Sequence, residues 1–319
     1  MAEHHLKATP ETVVWGRFAA ATPPVLTIAS GDRVVIETET ALAEFWPPEG
    51  SGMTVSAALR AIDAAHLPVR FGHLLTGPVA VEGAEPGDML EVRIEAIELG
   101  ANWGFNAIVP FEGTLPDDFI LPEIDLIHIP IDQAAKTCKL PFGPELPLVP
   151  FFGVMGVAPP AAYGELSSRE PRLHGGNLDN KDLGAGSTLF FPVWTEGGNF
   201  LCGDGHGVQG HGEVCVTALE TALTGTFTFI LHKKTGDAPI ITLPRGETPT
   251  AYMTMGFSSD LDEAMRIAVR EMITFVTERT GMSRGDAYRL ASLAADFHVT
   301  QTVNGEKGVH GLLPKSLIA

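Results

Sequence analysis

The sequence predicts a β-rich α+β fold that closes with a pair of helices near the C-terminus. Three observations lead there. The 319 residues include 35 glycines and 24 prolines, punctuation that suits many short strands and tight turns better than a helix bundle. Between Met89 and Ala96, Leu90, Val92, Ile94 and Ala96 alternate with Glu91, Arg93 and Glu95, a period of two that puts the apolar set on one face of a half-buried strand. Leu261, Met265, Ala268, Met272 and Phe275 instead recur at helical spacing.

The first third reads as strands. Gly31-Asp32 leads into Arg33–Thr40, and Gly87-Asp88 leads into Met89–Ala96. The shared pattern is either a weak internal repeat or one kind of turn used twice. Residues 110–160, rich in proline and phenylalanine, read as a long irregular excursion across the sheets that ends in a buried segment, Phe151–Val157. Ser187–Val193 is a predicted strand, Thr195–Asn199 a hairpin turn, Phe200–Cys202 a short return strand and Val214–Leu219 a further strand. Ser259 with Asp262 makes a capping-box-like helix start and Gly281 a stop; Ser283 with Asp286 opens a second helix ending near Ala295. A strand Phe297–Val303 and an Asn304-Gly305 turn follow. With no clear linker, residues 1–319 are expected to form a single catalytic unit. A 1–110 β-rich lobe and a 150–319 lobe carrying the site are its finer subdivision.

Composition narrows the function classes. The net charge of −18 comes without a Lys/Arg run, which argues against a nucleic-acid partner. Cys138, Cys202 and Cys215 are too few and too irregularly spaced for a disulfide framework, and a reducing, cytoplasmic location is the simpler expectation. The first ten residues lack an apolar signal segment, and no apolar run reaches the roughly 18 residues of a membrane span, so no membrane partner is expected. A homo-oligomer is expected from size and from exposed sheet edges alone.

The chemistry concentrates in two glycine-rich stretches, His174-Gly-Gly-Asn-Leu-Asp179 and Gly203-Asp-Gly-His-Gly-Val-Gln-Gly-His-Gly-Glu213. Glycine lets a backbone approach an ion or substrate closely. Asp204 and His206, two apart, face one side if extended, and a carboxylate with an imidazole is a common start for a divalent-metal site. Asp179 or Asn177 adds oxygen ligands, and Glu213 either ligates or moves a proton. Each alone has a plainer reading: Asn and Asp beside Gly form turns, and a lone His is more often structural. Cys202 as a nucleophile with His206 or His211 is a rival, although a buried cysteine is commonly just a small apolar residue.

At these residues the chain resembles the acetamidase/formamidase family. The similarity is carried by Gly175–Leu189, Phe191-Pro-Val193, Gly203-Asp-Gly-His206 and Gln209–Val214, and outward by Leu75–Asp88, Phe152–Pro159, Asp296–Gln301 and Gly308–Lys315. One position departs from the family pattern: His211 stands where an acidic residue is frequent, in a Gln-Gly-Asp-Gly-Glu pattern. The resemblance implies a β-rich fold of packed sheets or a barrel-like sandwich. It also implies a divalent metal and hydrolysis of a short aliphatic amide, such as formamide or acetamide, to acid and ammonia. Zinc is the first choice, with calcium or another divalent ion as the alternative. From residue chemistry, Asp204, His206 and Asp179 are the expected metal ligands, with His73 as a further one. Glu213 is expected to take a proton from water and return it to ammonia, and Asn177 and Gln209 to orient the amide. Asp296 and His298 are read as outer supports. Two other functions fit the same cluster: hydrolysis of a larger or cyclic C–N substrate, and a non-catalytic metal- or ligand-binding β module. Ammonia release separates the last from the first two.

Overall fold

The computed structural model describes residues 1–69 and 72–318. Two sheets face each other across the main core. A nine-stranded sheet runs in the order Glu3–Leu6, Arg33–Glu37, Leu223–His232, Met89–Leu99, Thr188–Pro192, Arg245–Glu247, Ala251–Ser258, Lys307–Pro314, Asp296–Gln301. The second sheet runs Gly175–Asn177, Phe151–Gly156, Phe200–His206, Leu74–Val81, Val13–Trp15, with Leu26–Ile28 parallel to Leu74–Val81. Val92, Ile94, Phe227 and Phe229 of the first pack with Val79, Phe152, Met155 and Phe200 of the second. Both sheets are open, so the β-rich α+β reading holds as a sandwich and not as a closed barrel. No described helix is long and apolar enough to cross a membrane.

Local chemistry explains several elements. Leu90, Val92 and Ile94 are fully buried, while Arg93 and Glu95 are exposed. The two late helices stand close to the expected positions. Leu261–Thr280 is capped by Asp260, whose side chain accepts from Glu263 N, one residue after the expected Ser259; Gly281 stops it in a left-handed conformation (φ 74°). Arg284–Ala294 is capped by Ser283 accepting from Asp286 N.

The paired Gly-Asp signals prove to be one turn used twice. Gly31 and Gly87 both take positive φ, 93° and 95°. In each case the aspartate side chain accepts from the backbone N–H three residues earlier, Ala29 N (3.1 Å) and Glu85 N (2.8 Å). The Asp88 carboxylate also accepts from Lys234 N (3.0 Å) and Lys233 Nζ (2.7 Å). Burial alone would raise its pKa, but the Lys233 and backbone hydrogen bonds outweigh that and hold it below the usual carboxylate value. Because the folded-state pKa is depressed, the resulting stability is fully present above the unfolded value of about 4 and is lost progressively as pH falls from there through the lower folded-state value. Asp88→Ala is therefore expected to cost about 2–3 kcal/mol at pH 7. In urea melts at pH 7 and pH 3 the gap to wild type should narrow at the acid end; an equal gap at both would overturn the assignment.

Four expectations are corrected. The segment 110–160 is not irregular throughout: Asp125–Asp132, Thr137–Lys139 and Glu145–Pro147 join Trp103–Ile108 in a four-stranded meander. A helix, Ala57–Ala64, interrupts the supposed all-strand first third; Ser56 caps it at Leu59 N, and Leu59 and Ile62 are buried. That cap and spacing are legible in the sequence. The 195–199 turn does not make a hairpin, because Thr188–Pro192 and Phe200–His206 lie in different sheets. Finally, Val214–Leu219 is not a strand. Glu213 and Val216 take positive φ (43° and 79°), which breaks an extended run, and Val214 is 64% exposed.

Candidate active site

Asp204 and His206 sit at the end of the central strand Phe200–His206, whose partner is Phe151–Gly156. In that antiparallel register Gly153 falls opposite Asp204. A Cβ on Gly153 would lie 2.4 Å from Asp204 Oδ2, 2.5 Å from Asp179 Oδ1 and 2.8 Å from His206 Cε1. The missing side chain is the space in which these groups meet. The Gly153 carbonyl also accepts from Leu178 N (2.9 Å) and Asp179 N (3.1 Å), drawing the first glycine-rich stretch onto the second.

The cluster is tight. His206 Nε2 lies 3.2 Å from Asp204 Oδ2 and 3.3 Å from Glu220 Oε2. Single ligand atoms of Asp179, Asp204 and His206 fall within 4.8 Å of one another, as do those of His206, Glu213 and Glu220. Asp204 and His206 therefore converge more closely than two extended positions would, because Asp204 takes φ 56°. Asp179 and Glu213 share this left-handed backbone, with φ 45° and 43°. Three non-glycine residues in that region cost about 1 kcal/mol or more apiece, and such strain gathers at functional sites.

Hydrogen bonds fix the imidazole. Gln209 Nε2 donates to the Asp179 backbone carbonyl (2.8 Å), which can only accept, so Gln209 Oε1 must be the atom that faces His206 Nδ1 at 2.9 Å. Nδ1 therefore carries a proton, and Nε2 faces two carboxylates. Asn304 Nδ2 donates to Asp179 Oδ2 (2.5 Å), and Ala218 N donates to Glu220 Oε1 (2.8 Å). His73 stands at the edge, its Nδ1 3.1 Å from Ser168 Oγ and its Nε2 3.8 Å from Asp204 Oδ2.

Electrostatically the site lacks positive charge. Burial pushes Asp179 up, and burial together with the Asp179 charge pushes Glu213 well up. Glu220 is likewise raised by burial. Burial would raise Asp204 too, but His73 and His206 hold it well below the carboxylate range. Burial disfavours a charged His206, yet Glu220 and Asp204 outweigh it and lift the imidazole well above its ordinary value. Three buried carboxylates and the half-buried Asp204 thus face one buried imidazole, His206, with His73 at the edge. Asn177 Oδ1, Asp179 Oδ1, His206 Nε2 and Glu213 Oε2 are buried without an aligned hydrogen-bond partner among the described residues. Oxygen and nitrogen donors converging without partners suit a divalent cation, which would supply the missing charge. The cluster opens into a cavity of about 470 Å³ that Asn177, Asp204, Glu213, Glu220, Asn304 and His73 help line.

The family model described as Acetamidase/Formamidase matches residues 3–170 and 162–314. This chain belongs to the acetamidase/formamidase family. It is 31% identical over 200 residues to a formamidase of Methylophilus methylotrophus, covering 44% of this chain and 47% of that one. It is 29% identical over 271 residues to an acetamidase of Mycolicibacterium smegmatis, covering 66% and 64%. The matched region thus spans about half to two thirds of these curated relatives. Among solved structures, an acetamidase from Bacillus halodurans is similar with TM-score 0.83 and 31% identity, covering 98% of each chain.

Within this acetamidase/formamidase chain, the residues named from sequence divide by position. Asp204, Glu213 and Asn177 line the cavity, and the fully buried Asp179 and His206 cluster with them behind its wall. Gln209 has both ends of its amide engaged inside the protein, so it holds His206 where sequence had it facing substrate. His73 touches the cluster only through Asp204. Asp296 is exposed and His298 stacks on His310, so neither supports this cluster. Cys202 is fully buried in the apolar core, and burial pushes its thiol far above the usual range, which removes the nucleophile reading. Two residues were missed. Glu220 carries only a faint cue, a lone acid within Ala218-Leu-Glu-Thr-Ala222, and Asn304 reads from sequence as a turn residue.

Proposed function

We propose that this chain hydrolyses the C–N bond of a linear amide to a carboxylic acid and ammonia, using a divalent metal ion, zinc first among candidates, held by Asp179, Asp204 and His206. One observation carries the reading: donors from both glycine-rich stretches converge, unpartnered, at the wall of an accessible cavity. When bound, the metal supplies Lewis-acid activation of the amide carbonyl and of water. Glu213, with one oxygen free of partners, takes the proton from the attacking water and delivers it to the departing nitrogen. Asn177 Oδ1 accepts an N–H of the substrate amide. Gln209 and Asn304 hold His206 and Asp179 in place. His73 holds the charge of Asp204. Residues 1–319 work as one catalytic unit in this reading, with a small amide as the partner and a homo-oligomer in the cytoplasm as the setting.

The family names point to formamide and acetamide. A second reading is favoured by the cavity itself: about 470 Å³, walled by Trp15, Leu42, Phe45, Phe105 and Ile124, is room for a ligand well beyond two carbons, with an apolar substituent. A panel running from formamide and acetamide to amides with bulky apolar acyl groups tests both. Ammonia release should fall more than tenfold after chelation and return with zinc. Full activity in a metal-free preparation would remove the metal, and no ammonia from any amide would remove the hydrolase. Rising kcat/KM with apolar acyl size selects the second substrate class; falling values select the first.

A further inference from the structure

A second cluster of ligand-type side chains lies beside the first and takes no part in the mechanism above. Asp182 follows Asp179 by three residues, His211 precedes Glu213 by two, and His310 lies on the buried strand Lys307–Pro314. Asp182 Oδ2 stands 2.9 Å from His310 Nε2 and 3.5 Å from His211 Nε2. His298 closes the group: the ring centroids of His211, His298 and His310 lie 5.0, 5.1 and 5.3 Å apart pairwise.

We propose that Asp182, His211 and His310 form a second divalent-metal site, for zinc or a similar borderline transition ion. Two imidazole nitrogens and one carboxylate oxygen are a donor set such ions prefer over calcium or magnesium. The separations fit. Ligands about 2.0–2.1 Å from a tetrahedral ion lie roughly 3.3 Å from one another, and the carboxylate oxygen is 2.9 and 3.5 Å from the two nitrogens. His310 is fully buried, and its Nδ1 is 2.6 Å from Thr300 Oγ1, the outer hydrogen bond that orients a ligating imidazole. His211 presents its Nε2 to the same carboxylate oxygen.

The site would tie three segments together: the turn after Gly175–Asn177, the loop after Phe200–His206 and the strand Lys307–Pro314. The middle one carries Glu213. His211, the departure noted in the sequence, thus faces Asp182 and His310 and completes this cluster.

Zinc bound per chain after dialysis, measured by elemental analysis, decides the matter with a readout independent of activity. Wild type should hold two equivalents. His211→Ala and the isosteric Asp182→Asn should each hold one, and Asp204→Asn, which strikes the first cluster, should also hold one. Because His211 is partly exposed and Asp182→Asn keeps its shape, at least one variant will remain folded, checked by circular dichroism. Two equivalents unaffected by His211→Ala and Asp182→Asn would overturn this second site. So would a single wild-type equivalent lost only in Asp204→Asn, while leaving the first site standing. A single equivalent lost in His211→Ala and Asp182→Asn but kept in Asp204→Asn would do the reverse. Zinc-free wild type would overturn both.

Discussion

Glu213→Gln is expected to lower kcat for amide hydrolysis by about 10²–10⁴-fold, the range that a positioned proton-transfer group supplies. The substitution keeps shape and volume at a site that is only 6% exposed, so its effect is chemical. A Gln amide cannot accept a proton from water at neutral pH and return it to nitrogen. Because Glu213 Oε2 has no partner among the described residues, no existing hydrogen bond is lost to confuse the result. Metal content should be unchanged if Asp179, Asp204 and His206 hold the ion. Parallel measurements of kcat, KM and bound zinc therefore separate the roles. A fall in kcat with zinc retained supports proton transfer, whereas a fall matched by zinc loss makes Glu213 a ligand. Near-normal turnover would strip it of either part.

Gly153→Ala should reduce activity to near background and weaken metal binding, although it alters no group that does chemistry. The added methyl would sit 2.4 Å from Asp204 Oδ2 and 2.5 Å from Asp179 Oδ1, inside any tolerable contact. Gly153 lies on a strand buried along its whole length and does not have positive φ, so alanine suits the backbone and only the cluster must move. Overpacking of this kind typically costs about 1–3 kcal/mol, which a chain of this size can survive. Displacing aligned groups by an ångström, by contrast, costs about 10²-fold in rate or more. The expected signature is a folded protein with normal far-UV dichroism, a modestly lowered Tm and almost no ammonia release. Wild-type activity in Gly153→Ala would show that the three groups do not act as a unit.

Much of the fold was readable because its signals are local. The strand at Met89–Leu99, the caps at Ser283 and Gly281, and the buried run Phe151–Gly156 each depend on neighbours a few residues away. The helix Ala57–Ala64 was equally local and was overlooked amid strand signals. The hairpin expected at 195–199 failed for a different reason: a turn dictates chain reversal but not which sheet the returning strand joins. For the site, both glycine-rich stretches and most of their acids and imidazoles were found, since glycine beside ligand-type residues is visible in one dimension.

By itself, the sequence determined membership of the acetamidase/formamidase family, the sandwich's alternating strands, the late helix pair and the two glycine-rich stretches whose polar groups converge. Only the tertiary structure decided that Glu220 and Asn304 join the cluster, that Gln209 supports His206, and that His211 turns to Asp182 and His310. The physical reason is range. Propensity and periodicity act over a few residues, whereas the partner of a buried charge is chosen by sheet register and by desolvation, which forces each donor and acceptor toward whatever distant group the packed strands bring within about 3 Å.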